Sequence, residues 1–158
     1  TAIAARLLGK DYYTYVVTGD GELDEGSNWE GLMTIRHYNL TNCITIVDRN
    51  HCMIDGNTED VMKLEPLADK FVAFGFHTIV CEGNNIVSLC KAIDEAHKTK
   101  DKPTVIVADT IKGVGIKLTS GNYKWHYGAI DEEMAKVAAK DLDEYSAERI
   151  ARCGKEFE

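Results

Sequence analysis

A chain of 158 residues is long enough for one domain with its own core and too short for two. Its 18 Lys and Arg against 26 Asp and Glu leave a net charge of −8, which argues against a nucleic-acid binder, because phosphate neutralisation needs clustered basic residues. Apolar residues make up an ordinary 44%, and no run of about 18 of them exists to cross a membrane.

The chain opens Thr1-Ala2-Ile3-Ala4-Ala5-Arg6, with neither an initiator Met nor a secretory leader pattern. This reads as the tail of a helix already under way, so the domain is expected to be N-terminally incomplete. Residues 13–18 are β-branched and aromatic, a predicted strand, and a loop over 19–26 follows. Residues 27–38 carry Trp29, Leu32, Met33 and Ile35 at helical spacing, a stripe expected to face the core. Residues 43–47 form a second strand closed by Asp48-Arg49-Asn50. A helix over 66–74 stops at Gly75, and residues 77–81 form a third strand. A helix over 85–97 precedes a fourth strand at 103–108. The longest irregular segment is 117–127, and the Ala-rich, charged stretch 131–158 predicts one or two surface helices.

Strand and helix alternate four times, which predicts an α/β domain with a parallel sheet sandwiched by helices. The near-continuous apolar strands predict cover on both faces. Five cysteines, an odd number without a C-x-x-C pair, fit a reducing cytoplasm better than a disulfide framework or a zinc site.

The chemistry-bearing residues sit at strand ends. In parallel α/β sheets, ligands lie beyond the carboxyl ends of the strands. Asp20 follows the first predicted strand and Asn50 the second, so one crossover brings them to the same sheet edge. Mg²⁺ takes hard oxygen ligands and commonly shares them with phosphate. The Asp20 carboxylate, the Asn50 amide oxygen and the backbone carbonyl of Cys52 suit that role. Gly19 and Gly21 let a diphosphate approach the backbone. Gly-Asp-Gly alone is a common turn, and Asn50 alone could cap one; the joint pattern is what carries the reading. An EF-hand register fails, because its sixth loop position is not Gly and its twelfth is Gly31 rather than Glu.

Gly19-Asp20-Gly21-Glu22-Leu23, Glu25-Gly26, Asp48, Asn50 and Ile54-Asp55-Gly56 together closely resemble the thiamine-diphosphate enzymes, specifically the diphosphate-binding half of transketolase. The resemblance covers residues 1–132. It implies that Asp20, Asn50 and the Cys52 carbonyl hold Mg²⁺, and that Gly19, Gly21 and Glu22 run beside the diphosphate. It further implies that Ile54 presses on the cofactor's rings and that Glu25 sits near a subunit interface, coupling paired sites. Thr110-Ile111-Lys112-Gly113-Val114-Gly115 matches the family's strand-end segment. Trp125-His126-Tyr127-Gly128 resembles its His-Gly segment, with Tyr127 interposed, and makes His126 the expected substrate contact and proton handler. His51, between Asn50 and Cys52, reads as a bystander.

The family's pyrimidine-activating Glu belongs to a second domain, for which this chain has no room. The family's Gly-rich loop and histidine before Thr1 are also missing. Two explanations then compete, a piece of a single long chain and a split transketolase, and the resemblance favours the second: this chain with a C-terminal, pyrimidine-binding partner, in a dimer of heterodimers acting on sugar phosphates. The alternatives are an α subunit of a 2-oxoacid dehydrogenase, a deoxyxylulose-phosphate-synthase relative, or a non-catalytic cofactor-binding partner. A generic nucleotide-binding domain is disfavoured, since neither Gly-x-Gly-x-x-Gly nor a Walker loop is present.

Overall fold

Parallel pairing of β-branched segments builds the sheet. The computed structural model describes residues 1–153. The strands are β1 (Thr14–Gly19), β2 (Cys43–Arg49), β3 (His77–Glu82) and β4 (Thr104–Asp109). They pair in the order β1-β2-β4-β3, all parallel. The helices are α1 (Ala2–Leu7), α2 (Gly26–His37), α3 (Thr58–Val61), α4 (Leu67–Ala73), α5 (Ile86–Lys98) and α6 (Glu132–Cys153). Short 3₁₀ turns at Gly21–Asp24 and Tyr123–His126 fall inside the two stretches predicted as irregular.

Alternation along the central strands divides the core in two. Val47, Val105 and Val107 face Leu32 of α2 and Leu67 and Phe71 of α4. Ile44 and Ile106 face Ala92 and Ala96 of α5 on the other side. The β3–α5–β4 crossover runs back toward β2, so a right-handed connection puts α5 on the face opposite α4. The side chain of Asn85 caps α5 by accepting the N–H groups of Val87 and Ser88 at 3.0 and 3.2 Å. Gly75 ends the α4 segment at φ +90°, and Arg36 Nε lies 2.7 Å from where its Cβ would stand.

Two expectations need correcting, and a third is narrowed. Cover on both faces holds for β2 and β4, but the edge strand β1 leaves Tyr15, Val16 and Val17 exposed. There His97 of α5 packs against the Tyr13 and Tyr15 rings. The Trp29–Leu32–Met33 stripe is core only in part. Trp29 stacks on Phe71 and Leu32 is buried, but Met33 is 60% exposed. The C-terminal stretch is one helix as far as Cys153; residues 154–158 lie outside the described residues. Among the described residues no helix is long and apolar enough to cross a membrane.

Candidate cofactor site

The register of β1 against β2 sets Gly19 beside Asp48, so Asp20 and Asn50 emerge side by side at the carboxyl edge. Asp20 is fully buried. Its Oδ1 accepts the Gly21 N–H at 2.8 Å, and its Oδ2 accepts the His51 N–H at 2.7 Å. The same Oδ2 pairs with Arg49 Nη1 at 2.9 Å. Arg49 is a residue that sequence reasoning missed. Its side chain is 3% exposed and also reaches Glu59 at 2.8 Å and Glu65 at 2.9 Å, with Thr58 Oγ1 at 2.6 Å. One guanidinium fork thus gathers three carboxylates, a geometry that suits Arg and not Lys.

The charges adjust accordingly. Burial works to lower the Arg49 pKa, but Asp20 and Glu65 outweigh it and hold it above its ordinary value. The Leu67 N–H, then Arg49, hold Glu65 below the usual carboxylate range. Burial opposes ionisation of Glu59, yet the Leu64 N–H and Arg49 bring it down as well.

The second half of this corner is equally tied. Asn50 Nδ2 donates to Asp48 at 2.9 Å, which orients the amide, and Asn50 Oδ1 accepts the Cys52 N–H at 3.0 Å. Thr110 Oγ1 donates to the other oxygen of Asp48. His51 takes a left-handed conformation, φ +63°, uncommon for a residue with a Cβ. Its Nε2 lies 2.7 Å from Asp109 at the end of β4. His51, read as a bystander, therefore ties the turn between Asn50 and Cys52 to the next strand.

Above the corner lies a cleft of about 400 Å³. Gly19, Asp20, Gly21, Glu22 and Glu25 line it from the β1 side, and Asn50, Cys52 and Ile54 from the β2 side. His126 closes it from a segment more than a hundred residues after Asp20. All nine positions singled out in the sequence meet there, joined by Met53, Asp55 and Lys112. Gly21 is sterically required: a Cβ would lie 2.8 Å from Met53 Cβ. Glu22 turns back to accept the Gly19 N–H at 3.1 Å. Glu25 precedes α2 without capping it, which leaves its exposed carboxylate to the cleft. Burial pushes the Cys52 thiol up, which keeps it protonated and leaves its peptide carbonyl as the group suited to a hard cation.

Lys112 and His126 come from an arm that follows β4. Its base is closed by the Gly121 N–H donating to the Lys112 carbonyl at 2.8 Å. Gly113, at φ +63°, lets Thr119 pack against bare backbone, 2.6 Å from where a Cβ would stand. The turn Tyr123–His126, with Asn122 accepting the Lys124 N–H at 3.1 Å, then delivers His126.

Apart from the paired Asp20, the cleft carries Glu22, Glu25 and Asp55 against Lys112. A bare diphosphate would be repelled there, whereas its complex with a divalent cation would not. Among the described residues no three His, Cys, Asp or Glu cluster as a metal site. The oxygens at the corner are instead mixed: a carboxylate, an amide whose nitrogen is spent on Asp48, and a peptide carbonyl. That hard-oxygen set fits Mg²⁺ shared with phosphate and water, and does not fit a soft metal.

A parallel α/β sheet with an acidic, oxygen-lined cleft at its carboxyl edge defines a class of anion-plus-cation cofactor domains. The family described as transketolase, thiamine diphosphate binding domain, matches residues 8–147, and the chain belongs to that family. It is 36% identical over 155 residues to one of the subunits of the apulose-4-phosphate transketolase from Phocaeicola vulgatus, covering 98% of this chain and 54% of that protein. To the 6-deoxy-6-sulfo-D-fructose transketolase subunit SqwG of a Clostridium species it is 38% identical over 133 residues, 84% of this chain and 48% of the relative. The chain thus spans about half the length of these relatives. Among solved structures, the Campylobacter jejuni transketolase superposes with a TM-score of 0.81 at 30% identity, over 90% of this chain and 23% of that one.

Proposed function

We propose that this chain is the diphosphate-anchoring part of a transketolase that transfers a two-carbon ketol unit between sugar phosphates. The observation that carries the reading is the convergence of strand-end residues from β1 and β2 with the distant Lys112 and His126 on one cleft. Asp20, Asn50 and the Cys52 carbonyl would hold Mg²⁺, and Gly19, Gly21 and Glu22 would border the diphosphate. Lys112 supplies the cation that its outer oxygens need. Ile54 offers the cofactor rings an apolar surface, 59% exposed in this chain. When bound, thiamine diphosphate supplies the electron sink for breaking the ketose carbon–carbon bond. His126 contacts the substrate and carries a proton at its imidazole nitrogen, while Glu25 lies toward a subunit interface.

Residues 1–158 act as one domain of this kind, in the cytoplasm. The activating Glu comes from a pyrimidine-binding partner, and the assembly is a dimer of heterodimers. The names of two relatives, each describing one subunit of a transketolase, support such a division. The test is a titration of thiamine diphosphate into the chain, with and without Mg²⁺ and the partner subunit, with Asp20→Ala as control. Binding that needs Mg²⁺, Asp20 and the partner is expected. Absence of binding in every combination overturns the assignment.

A further inference from the structure

Helix α6 contributes nothing to the lining of the cleft. Yet it buries one residue, Asp141, at 7% exposure, while every other α6 residue from 132 to 152 is exposed or half-buried. A carboxylate at the one buried position of a wet helix is costly unless it is paired. Asp141 Oδ2 accepts the backbone N–H of Lys117 at 2.9 Å, and its Oδ1 lies 3.3 Å from Lys117 Nζ. The same Nζ reaches Glu144 at 2.7 Å. The helix also seats directly on bare backbone. Gly115 has φ +96°, and a Cβ there would stand 3.1 Å from both Leu142 and Tyr145.

Lys117 lies within the arm that starts at Lys112, closes at Gly121 and ends at His126. The base of that arm touches the corner, where Cys52 Sγ lies 4.0 Å from the Gly121 carbonyl. Turn bonds fold the middle of the arm on itself, among them the Ser120 N–H donating to the Ile116 carbonyl at 2.9 Å and Thr119 Oγ1 donating to the Gly113 carbonyl at 2.9 Å; the hold on it from another element comes from α6.

We propose that Asp141 is a positioning residue: by accepting the Lys117 backbone N–H it holds the 112–126 arm so that Lys112 and His126 stand over the Asp20–Asn50 corner. The proposal rests on the reading of the cleft as a cofactor site. Because the grip is on the main chain, the Lys117 side chain is secondary to it. Asp141 touches no substrate or cofactor and acts only through the arm.

The test uses the full chain assembled with its pyrimidine-binding partner. Amide hydrogen exchange is measured without cofactor, and thiamine diphosphate affinity is measured in Mg²⁺. Asp141→Ala should speed exchange across 112–126 by about tenfold or more while β2 and β4 keep their wild-type protection, and should weaken cofactor binding by a similar factor. Asp141→Asn retains an acceptor oxygen and should restore both quantities to within about threefold, and Lys117→Ala should leave both within the same margin. Asp141→Leu keeps buried volume and serves as the second variant if alanine weakens the fold.

Unchanged exchange over 112–126 in Asp141→Ala and Asp141→Leu overturns the proposal. So does an increase spread evenly over the sheet, or a loss in Lys117→Ala as large as in Asp141→Ala. Wild-type protein that binds no thiamine diphosphate overturns the function assigned to the cleft, while the exchange comparison still decides whether Asp141 holds the arm.

Discussion

The cleft has two walls held in place by different means. At the Asp20–Asn50 corner, two neighbouring strand ends meet at close range and the polar atoms bond to one another. Asp20 is buried, its charge is met by Arg49, and Asn50 is oriented by Asp48. The opposite wall is an exposed arm, closed at its base by one backbone hydrogen bond and gripped from outside by α6. The first wall needs no ligand to keep its shape. The second has few buried apolar contacts, as expected of a part that adjusts to what enters. On the proposed function, a preformed corner beside an adaptable arm would separate anchoring from handling of the reactant.

That contrast can be broken most sharply at Arg49. Arg49→Met strands a buried carboxylate, and should cost about 3–5 kcal/mol and lower the thermal midpoint by roughly 10 °C in a domain of this size. A loss below about 1 kcal/mol in urea unfolding would show that the corner does not depend on its internal pairing. Gly21→Ala comes next: a methyl group pushed into Met53 should cost about 1–3 kcal/mol and weaken cofactor binding in the same preparation. Calorimetry on both properties would show whether packing and binding fail together.

Acid gives a smaller effect. Glu59 and Glu65 are held below the ordinary carboxylate value of 4.5 in the folded state, so their contribution is present above that value and is lost as pH falls through their folded pKa values. Thermal midpoints should therefore decline as pH drops below about 4.5, and Glu65→Gln should remove about 1 kcal/mol or less of that decline, because the group is half-exposed and screened. The least stability change is expected on the arm. His126→Ala should alter unfolding by no more than about 0.5 kcal/mol while lowering turnover of the assembled enzyme by about a hundredfold. Steady-state kinetics beside a melting curve would separate the two. A large loss of stability would make the arm a structural element after all.

Much of this arrangement can be read from residue order, and the unread part has physical causes. The segments around Ile44, Val47, Ile106 and Val107 declare themselves as buried parallel strands because both faces of each are apolar. Asp20 and Asn50 are legible because one crossover forces successive strand ends to a common edge. Arg49 is not: a cation between two polar neighbours reads as solvated, and only the return of the chain through Thr58, Glu59 and Glu65 buries it. The four residues of α3 carry too little periodicity to announce a helix. The exposed face of β1 escapes sequence reading because an apolar strand shows what could be buried, not whether anything lies against it. Asp141 looks like one more acid on a charged helix, and its burial depends on where the arm passes.

The strand order has a consequence for the way the chain is made. Among the described residues β3 has only β4 as a sheet neighbour, and β4 sits between β2 and β3 although it is the last of the four strands in sequence. During synthesis β1 and β2 can pair as soon as both have emerged. Of these four strands, β3 then has no neighbour until β4 arrives, a wait of about one to five seconds at ordinary translation rates. The middle of the sheet is therefore assembled last, and Val105 and Ile106 complete both halves of the core in a single event.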